Sequence, residues 1–214
     1  MPFTALGLGP SITKAVREVG YTEPTPIQSK AIPIILTGRD VIGIAQTGTG
    51  KTAAFVLPIL QLLSSRGAQM GRRGMRTLIV APTRELVVQI EENVRNYTRH
   101  VRLRSATVYG GVGEQPQIKA LRSGAEIVIA TPGRLIDLMN QGHVDFSIVE
   151  IAVLDEADRM LDMGFLPQIR QIVRKLPAKR QTLLFSATLS KEIEALTSEF
   201  QSNPQIVQIG KRSN

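Results

Sequence analysis

Short apolar runs recur along this chain, separated by stretches with helical periodicity. The runs are DVIGIA (40–45), RTLIVAP (76–82), SATVYG (105–110), EIVIAT (126–131), EIAVLD (150–155) and TLLFSAT (182–188). Nearly all are near-continuously apolar, as expected of strands covered on both faces. KTAAFVLPILQLL (51–63), RELVVQIEENVRNY (84–97) and EIEALTSEF (192–200) read as helices between or after them. The alternation predicts an α/β fold: a mostly parallel central sheet, right-handed crossovers and helices on both faces. Ligands of such sheets bind beyond the carboxyl ends of the strands, so the strand-end loops are where chemistry is expected. No internal repeat is visible. The Gly- and Arg-rich stretch Ser64–Met75 reads as a solvated loop, with nucleic-acid contact as the competing reading, and Gly210–Asn214 reads as a linker.

Composition narrows the picture. The 214 residues suit one large domain or two small ones. There is no cysteine, which excludes disulfides and thiolate zinc sites and fits a reducing compartment. The N-terminus lacks the basic and apolar regions of a secretory signal, and no apolar run approaches the ~20 residues that span a bilayer. A cytoplasmic protein without a membrane partner is the expectation. Lys and Arg number 26 against 18 Asp and Glu, for a net charge of +8 and a pI near 10.2. Such a surface attracts polyanions, nucleic acid first among them.

The loop after the first run, AQTGTGKT (45–52), approximates the P-loop pattern, with Ala45 in place of its first glycine. Gly48 and Gly50 let backbone N–H groups of Gln46, Thr47 and Thr49 wrap an oxyanion, Lys51 reaches terminal phosphates, and the Thr52 hydroxyl can ligate Mg²⁺. An ordinary Gly-rich turn explains the glycines but not a Lys-Thr pair at the head of the helix. The fifth run ends in three carboxylates within four residues, Asp155, Glu156 and Asp158. Asp155 at a strand tip suits Mg²⁺, usually through water, and Glu156 suits proton acceptance from an attacking water. The competing reading makes Asp155 an N-cap and gives Glu156 and Asp158 to the helix dipole. Beside a P-loop, the catalytic reading is preferred.

Upstream, Thr25-Pro26-Ile27-Gln28 has the form of a capping box with proline at the first helical position. Gln28 also carries the donor and acceptor that read the edge of adenine, and Tyr21 can stack on a base. With no guanine-reading Asn-Lys-x-Asp motif in the chain, ATP is favoured over GTP.

In order, GYTEPTPIQ, AQTGTGKT, PTREL, GG, TPGR, DEAD and SAT resemble the motifs of DEAD-box ATP-dependent RNA helicases, over Phe3 to Ile209. DEADRMLDMGF and LPAKRQTLLFSAT suggest the bacterial RhlE-like branch. Ala45 is the residue usual in that family. The resemblance implies a RecA-like P-loop NTPase domain over 1–207, divided into a Q-motif region (1–38) and a P-loop core (39–207). Residues 208–214 are then the start of a linker to a second RecA-like domain, whose motifs are not found in this chain. It implies an ATP hydrolase that separates RNA duplexes, with Phe3 near the adenine pocket. It also implies that Pro82, Thr83, Arg84, Gly110, Gly111, Thr131, Pro132, Gly133 and Arg134 line the RNA backbone without reading bases. The same residues have plain local roles as caps, first-turn prolines and tight turns. Ser186, Ala187 and Thr188 would couple hydrolysis to strand separation, with the Ser186 and Thr188 hydroxyls facing Asp158. A DNA translocase and a non-catalytic RNA-binding module are the alternative functions.

Overall fold

The structure is a computed structural model and describes residues 1–67 and 71–210. One sheet holds β1 (Val41–Ile44), β2 (Thr77–Val80), β3 (Ser105–Val108), β4 (Ile127–Ala130), β5 (Ile151–Leu154), β6 (Gln181–Ser186) and β7 (Gln205–Gln208). The spatial order is β3-β4-β2-β5-β6-β1-β7, and every neighbouring pair is parallel. A 3₁₀ turn (Phe3–Leu6) precedes α1 (Pro10–Glu18), α2 (Pro26–Leu36), α3 (Lys51–Arg66) and α4 (Arg84–Tyr97). Later come α5 (Gln115–Arg122), α6 (Pro132–Asn140), α7 (Ala157–Asp162), α8 (Leu166–Val173) and α9 (Lys191–Phe200).

The apolar runs are continuous because alternate residues serve two cores. Val41, Ile79, Ile127, Val153 and Leu183 pack under α1–α4, while Ile42, Leu78, Val128, Leu154 and Leu184 pack under α5–α9. Gly43 interrupts β1 for a steric reason: a Cβ there would overlap the ring of Phe185 on β6. That ring packs against Phe55 with centroids 5.2 Å apart.

Six strands fall where the apolar runs predict them. β7 is additional, since QIVQ carries too weak a pattern to be read as a strand. It forms because β1 offers an unpaired edge: Gln205 N–H donates to the Asp40 carbonyl (2.8 Å) and Ile209 N–H to the Ile44 carbonyl (2.9 Å). Ser64, Ser65 and Arg66 end α3 rather than opening the loop that follows. The remainder of that loop reading falls partly on 68–70, and the linker reading mostly on 211–214, outside the described residues.

Strand order sorts the motifs. β5, β6 and β1 are neighbours, so their carboxyl ends bring together DEAD, SAT and the P-loop. β3, β4 and β2 are neighbours on the other half of the same edge, and their ends carry GG, TPGR and PTREL. Among the described residues, no helix is long and apolar enough to cross a membrane.

Candidate nucleotide cleft and nucleic-acid face

The P-loop takes the shape its glycines permit. Gly48 (φ +81°) and Gly50 (φ +87°) both lie in the left-handed region. Gly50 is required twice over, because a Cβ there would also overlap Gln28 Nε2. Gln46, Thr47 and Gly48 are exposed. The Thr49 hydroxyl folds back on the Gln46 carbonyl at 2.6 Å. Lys51 is buried at the head of α3, with Thr52 half-buried beside it.

Gln28 is buried and bridges two motifs. Its Oε1 accepts the Thr25 N–H (3.0 Å), which is the capping-box bond, and its Nε2 donates to the Gly50 carbonyl (3.1 Å). The return contact toward Thr25 Oγ1 falls short of a hydrogen bond, and that oxygen is buried without a partner. One N–H and one lone pair of the Gln28 amide remain for a base. Tyr21 is 49% exposed on the cleft wall. It neighbours Tyr97, whose phenol is pushed up by burial and by the adjoining Tyr21. Phe3 is buried in the core under α1–α4 and does not line the cleft.

Asp155 is 2% exposed. Burial pushes its carboxyl up to about 6, with Glu156 and Asp158 adding to the rise and Lys51 and the Glu156 N–H opposing it. Its Oδ1 accepts the Glu156 N–H at 2.9 Å. The N-cap position of α7 belongs to Glu156, which sits at φ 50°, ψ 50° and makes no side-chain cap, so Asp155 is not the cap that local reading allowed. A left-handed glutamate is unusual and holds the carboxylate at the cleft rim. Arg159 donates to it at 3.3 Å. Asp158 Oδ2 accepts the Thr188 hydroxyl at a long 3.4 Å, so that much of the expected link between DEAD and SAT is present. Ser186 is fully buried and instead accepts the Thr188 N–H, also at 3.4 Å.

A cleft of about 430 Å³ runs from Tyr21 past Gln28 and the P-loop to Asp155 and Glu156. Its far wall is α4, through Leu86, Gln89, Asn93 and Tyr97, which sequence reasoning did not mark. Their spacing repeats at helical period on the side of α4 next to its buried stripe, but only the packing of α4 against α3 shows what that side meets. A larger cleft, of about 580 Å³, lies at the opposite ends of the strands between Arg66, Glu150, Lys179 and Gln181, away from the P-loop, DEAD and SAT.

On the other half of the sheet edge, the Thr83 side chain caps α4 by accepting the Leu86 N–H (3.3 Å). Thr131 occupies the N-cap position of α6 without a side-chain bond, followed by Pro132 and an exposed Gly133. Pro82 is buried, while Gly110 and Gly111 are exposed. The Arg84 guanidinium lies 5.1 Å from the centre of the Tyr109 ring. Arg134 turns to the GG loop, donating from Nη1 and Nη2 to the Val112 carbonyl, both at 3.1 Å.

The model of the DEAD/DEAH box helicase family matches residues 25–196. The chain belongs to that family. It is 50% identical over 97% of its length to ATP-dependent RNA helicase DBP2 of Encephalitozoon cuniculi, of which it covers 42%. It is 51% identical over 94% of its length to DEAD-box ATP-dependent RNA helicase 30 of Arabidopsis thaliana, covering 34%. With ATP-dependent RNA helicase CshA of Limosilactobacillus reuteri it shares 45% identity over 98%, covering 41% of that protein. The crystal structure of a DEAD box protein from Methanococcus jannaschii superposes with a TM-score of 0.90 at 36% identity, over 97% of this chain and 56% of that one. The chain thus spans about two fifths or less of these curated family members.

Proposed function

We propose that this chain is the ATP-binding RecA-like half of a cytoplasmic ATP-dependent RNA helicase, which couples hydrolysis of Mg-ATP to RNA duplex separation. The observation that carries the reading is the strand order. It sets an intact P-loop and the DEAD carboxylates on either side of SAT, with the three RNA-type loops beside them on one sheet edge. Each part matches a need of phosphoryl transfer. Lys51 and the loop N–H groups hold the phosphates, while Tyr21 and the remaining capacity of Gln28 hold the base. The Thr52 hydroxyl and the buried oxygens of Asp155 are hard oxygen donors on one cleft, a donor set that fits Mg²⁺. That ion, when bound, neutralises phosphate charge. Glu156 accepts the proton of the water that attacks the γ-phosphorus as the bond to the leaving ADP oxygen breaks. Pro82, Thr83, Arg84, Gly110, Gly111, Thr131, Pro132 and Gly133 form the track for the sugar-phosphate backbone, without base readout.

The names of the relatives support the RNA substrate. DEADRMLDMGF and LPAKRQTLLFSAT are all that favours the RhlE-like branch, since the relatives above come from a microsporidian, a plant and a bacterium.

The test is ATP turnover by the full-length protein with matched RNA, with matched DNA and with neither. Stimulation by RNA alone is expected. Equal stimulation by DNA would replace the reading with a translocase, and Mg-ATP binding that never leads to turnover would reduce the chain to a binding module.

A further inference from the structure

Arg134 and Gln117 draw together three loops that are separate in sequence. Gln117, on α5, is 7% exposed although it lies beside an exposed loop. Its Nε2 donates to the Tyr109 carbonyl (2.9 Å), and its Oε1 accepts from Arg134 Nη1 (3.3 Å). The same guanidinium grips the Val112 carbonyl with both terminal nitrogens. The segment Tyr109–Gly113 is therefore held at its start by Gln117 and near its end by Arg134. Arg84 leans on it from a third side, over the Tyr109 ring, and a Cβ on Gly111 would meet Arg84 Nη1 at 3.7 Å. Gly110 through Gly113 are all exposed, and no further hydrogen bond holds them among the described residues. A Gly-Gly-Val-Gly run is also the most costly kind of segment to order on binding.

We propose that Arg134 and Gln117 are positioning residues: a latch that preorders the Gly110–Gly113 backbone for RNA, with Arg134 acting through the Val112 carbonyl rather than on a phosphate. The inference rests on the RNA half of the proposed function. Three of the five Arg134 N–H groups are taken by the Val112 carbonyl and Gln117, which leaves two for a phosphate, whereas Arg84, held by a ring face, keeps its donors free. The latch needs the planar fork of arginine, because a lysine cannot grip one carbonyl with two nitrogens while reaching Gln117.

The experiment follows backbone amide exchange of residues 109–118 without RNA, and the affinity of the same chains for a single-stranded RNA across a salt series. The variants are Arg134→Lys, Arg134→Gln, Gln117→Leu and Arg84→Gln, with thermal melting to confirm folding. Arg134→Lys and Gln117→Leu are expected to speed loop exchange and to weaken RNA binding about tenfold, the scale of one or two lost hydrogen bonds. The salt slope should hold for both, and for Arg134→Gln. Arg84→Gln should lower it by about 0.7, the value of one phosphate contact on a single strand. An Arg134→Lys chain with parental exchange and affinity, or an Arg134→Gln chain that loses as much slope as Arg84→Gln, would overturn the latch. If Gln117→Leu fails to fold, the two Arg134 variants still decide. If the parent binds no RNA, the RNA reading falls, while amide exchange alone still tells whether the latch exists.

Discussion

Two neighbouring carboxylates, Asp155 and Glu156, answer differently to their surroundings. Asp155 is buried at the end of β5 and is held up at about 6, against an ordinary 3.8, chiefly by desolvation. Below pH 3.8 it is protonated both folded and unfolded. Between that and about 6 the unfolded chain has released the proton while the folded chain retains it, so stability falls as pH rises. Above 6 the cost is complete, about 1–3 kcal/mol at 1.36 kcal/mol per unit. Asp155→Asn should therefore stabilise the metal-free chain at pH 7.5, with the gain vanishing below pH 4. Urea unfolding in chelator across this range checks it, and a gain independent of pH would show that burial is not the cause. Glu156, at the rim, is the proposed general base. Glu156→Gln in the full-length protein should keep ATP binding and lose turnover by about 10²–10⁴-fold, the usual contribution of a general base. Single-turnover assays at saturating ATP report this directly, and parental turnover would remove Glu156 from the role.

At the scale of elements, the start of α2 and the P-loop are one unit. Gln28 closes the capping box and ties it to the Gly50 carbonyl, so a residue expected to read a base also supports the P-loop. Gln28→Ala should cost about 1–3 kcal/mol, from a lost cap and a lost cross-element hydrogen bond. It should also narrow the preference for ADP over GDP. Calorimetric titration with both nucleotides, alongside chemical unfolding, separates the effects: a destabilised chain with an unchanged ADP/GDP ratio would leave Gln28 a purely structural part. At the other end of the strands, Glu150 joins three elements. It binds the Arg76 Nε ahead of β2, and Arg66 at the end of α3. The Arg76 side chain is 3% exposed, and that of Arg66 is 42% exposed. Glu150→Ala strands a buried cation and should cost about 3–5 kcal/mol, whereas Arg66→Gln breaks only an exposed pair and should cost less than about 1 kcal/mol. Similar losses for the two variants in urea melts would contradict this account.

For the whole molecule, the proposed nucleotide cleft is short of positive charge. Lys51 is the one cation lining it among the described residues, and no arginine does. Positive charge at the γ-phosphate is worth about 10³–10⁵ in rate when an arginine finger supplies it. The 214-residue chain alone should therefore bind adenine nucleotide weakly and turn ATP over slower than the full-length protein by about that factor, without separating RNA duplexes. Steady-state turnover and strand displacement at matched salt test it, and robust unwinding by the chain alone would point to a self-sufficient or oligomeric motor. Much of this was legible beforehand. Six strands, the P-loop and the DEAD carboxylates are local matters: an apolar run, or a glycine where the backbone must turn left-handed, carries its meaning within a few residues. The rest depends on which strands lie side by side. Nothing in QIVQ announces an edge strand until β1 has a free side, and Leu86, Gln89 and Asn93 form a cleft wall only because α4 packs beside α3. Arg134 reads as a phosphate ligand in TPGR, and its partners Val112 and Gln117 lie 22 and 17 residues away. Hydrogen bonds and burial over such separations depend on the third dimension. The chain by itself therefore determined six of these strands and the motifs at their ends, while the parallel order β3-β4-β2-β5-β6-β1-β7 decided which motifs meet.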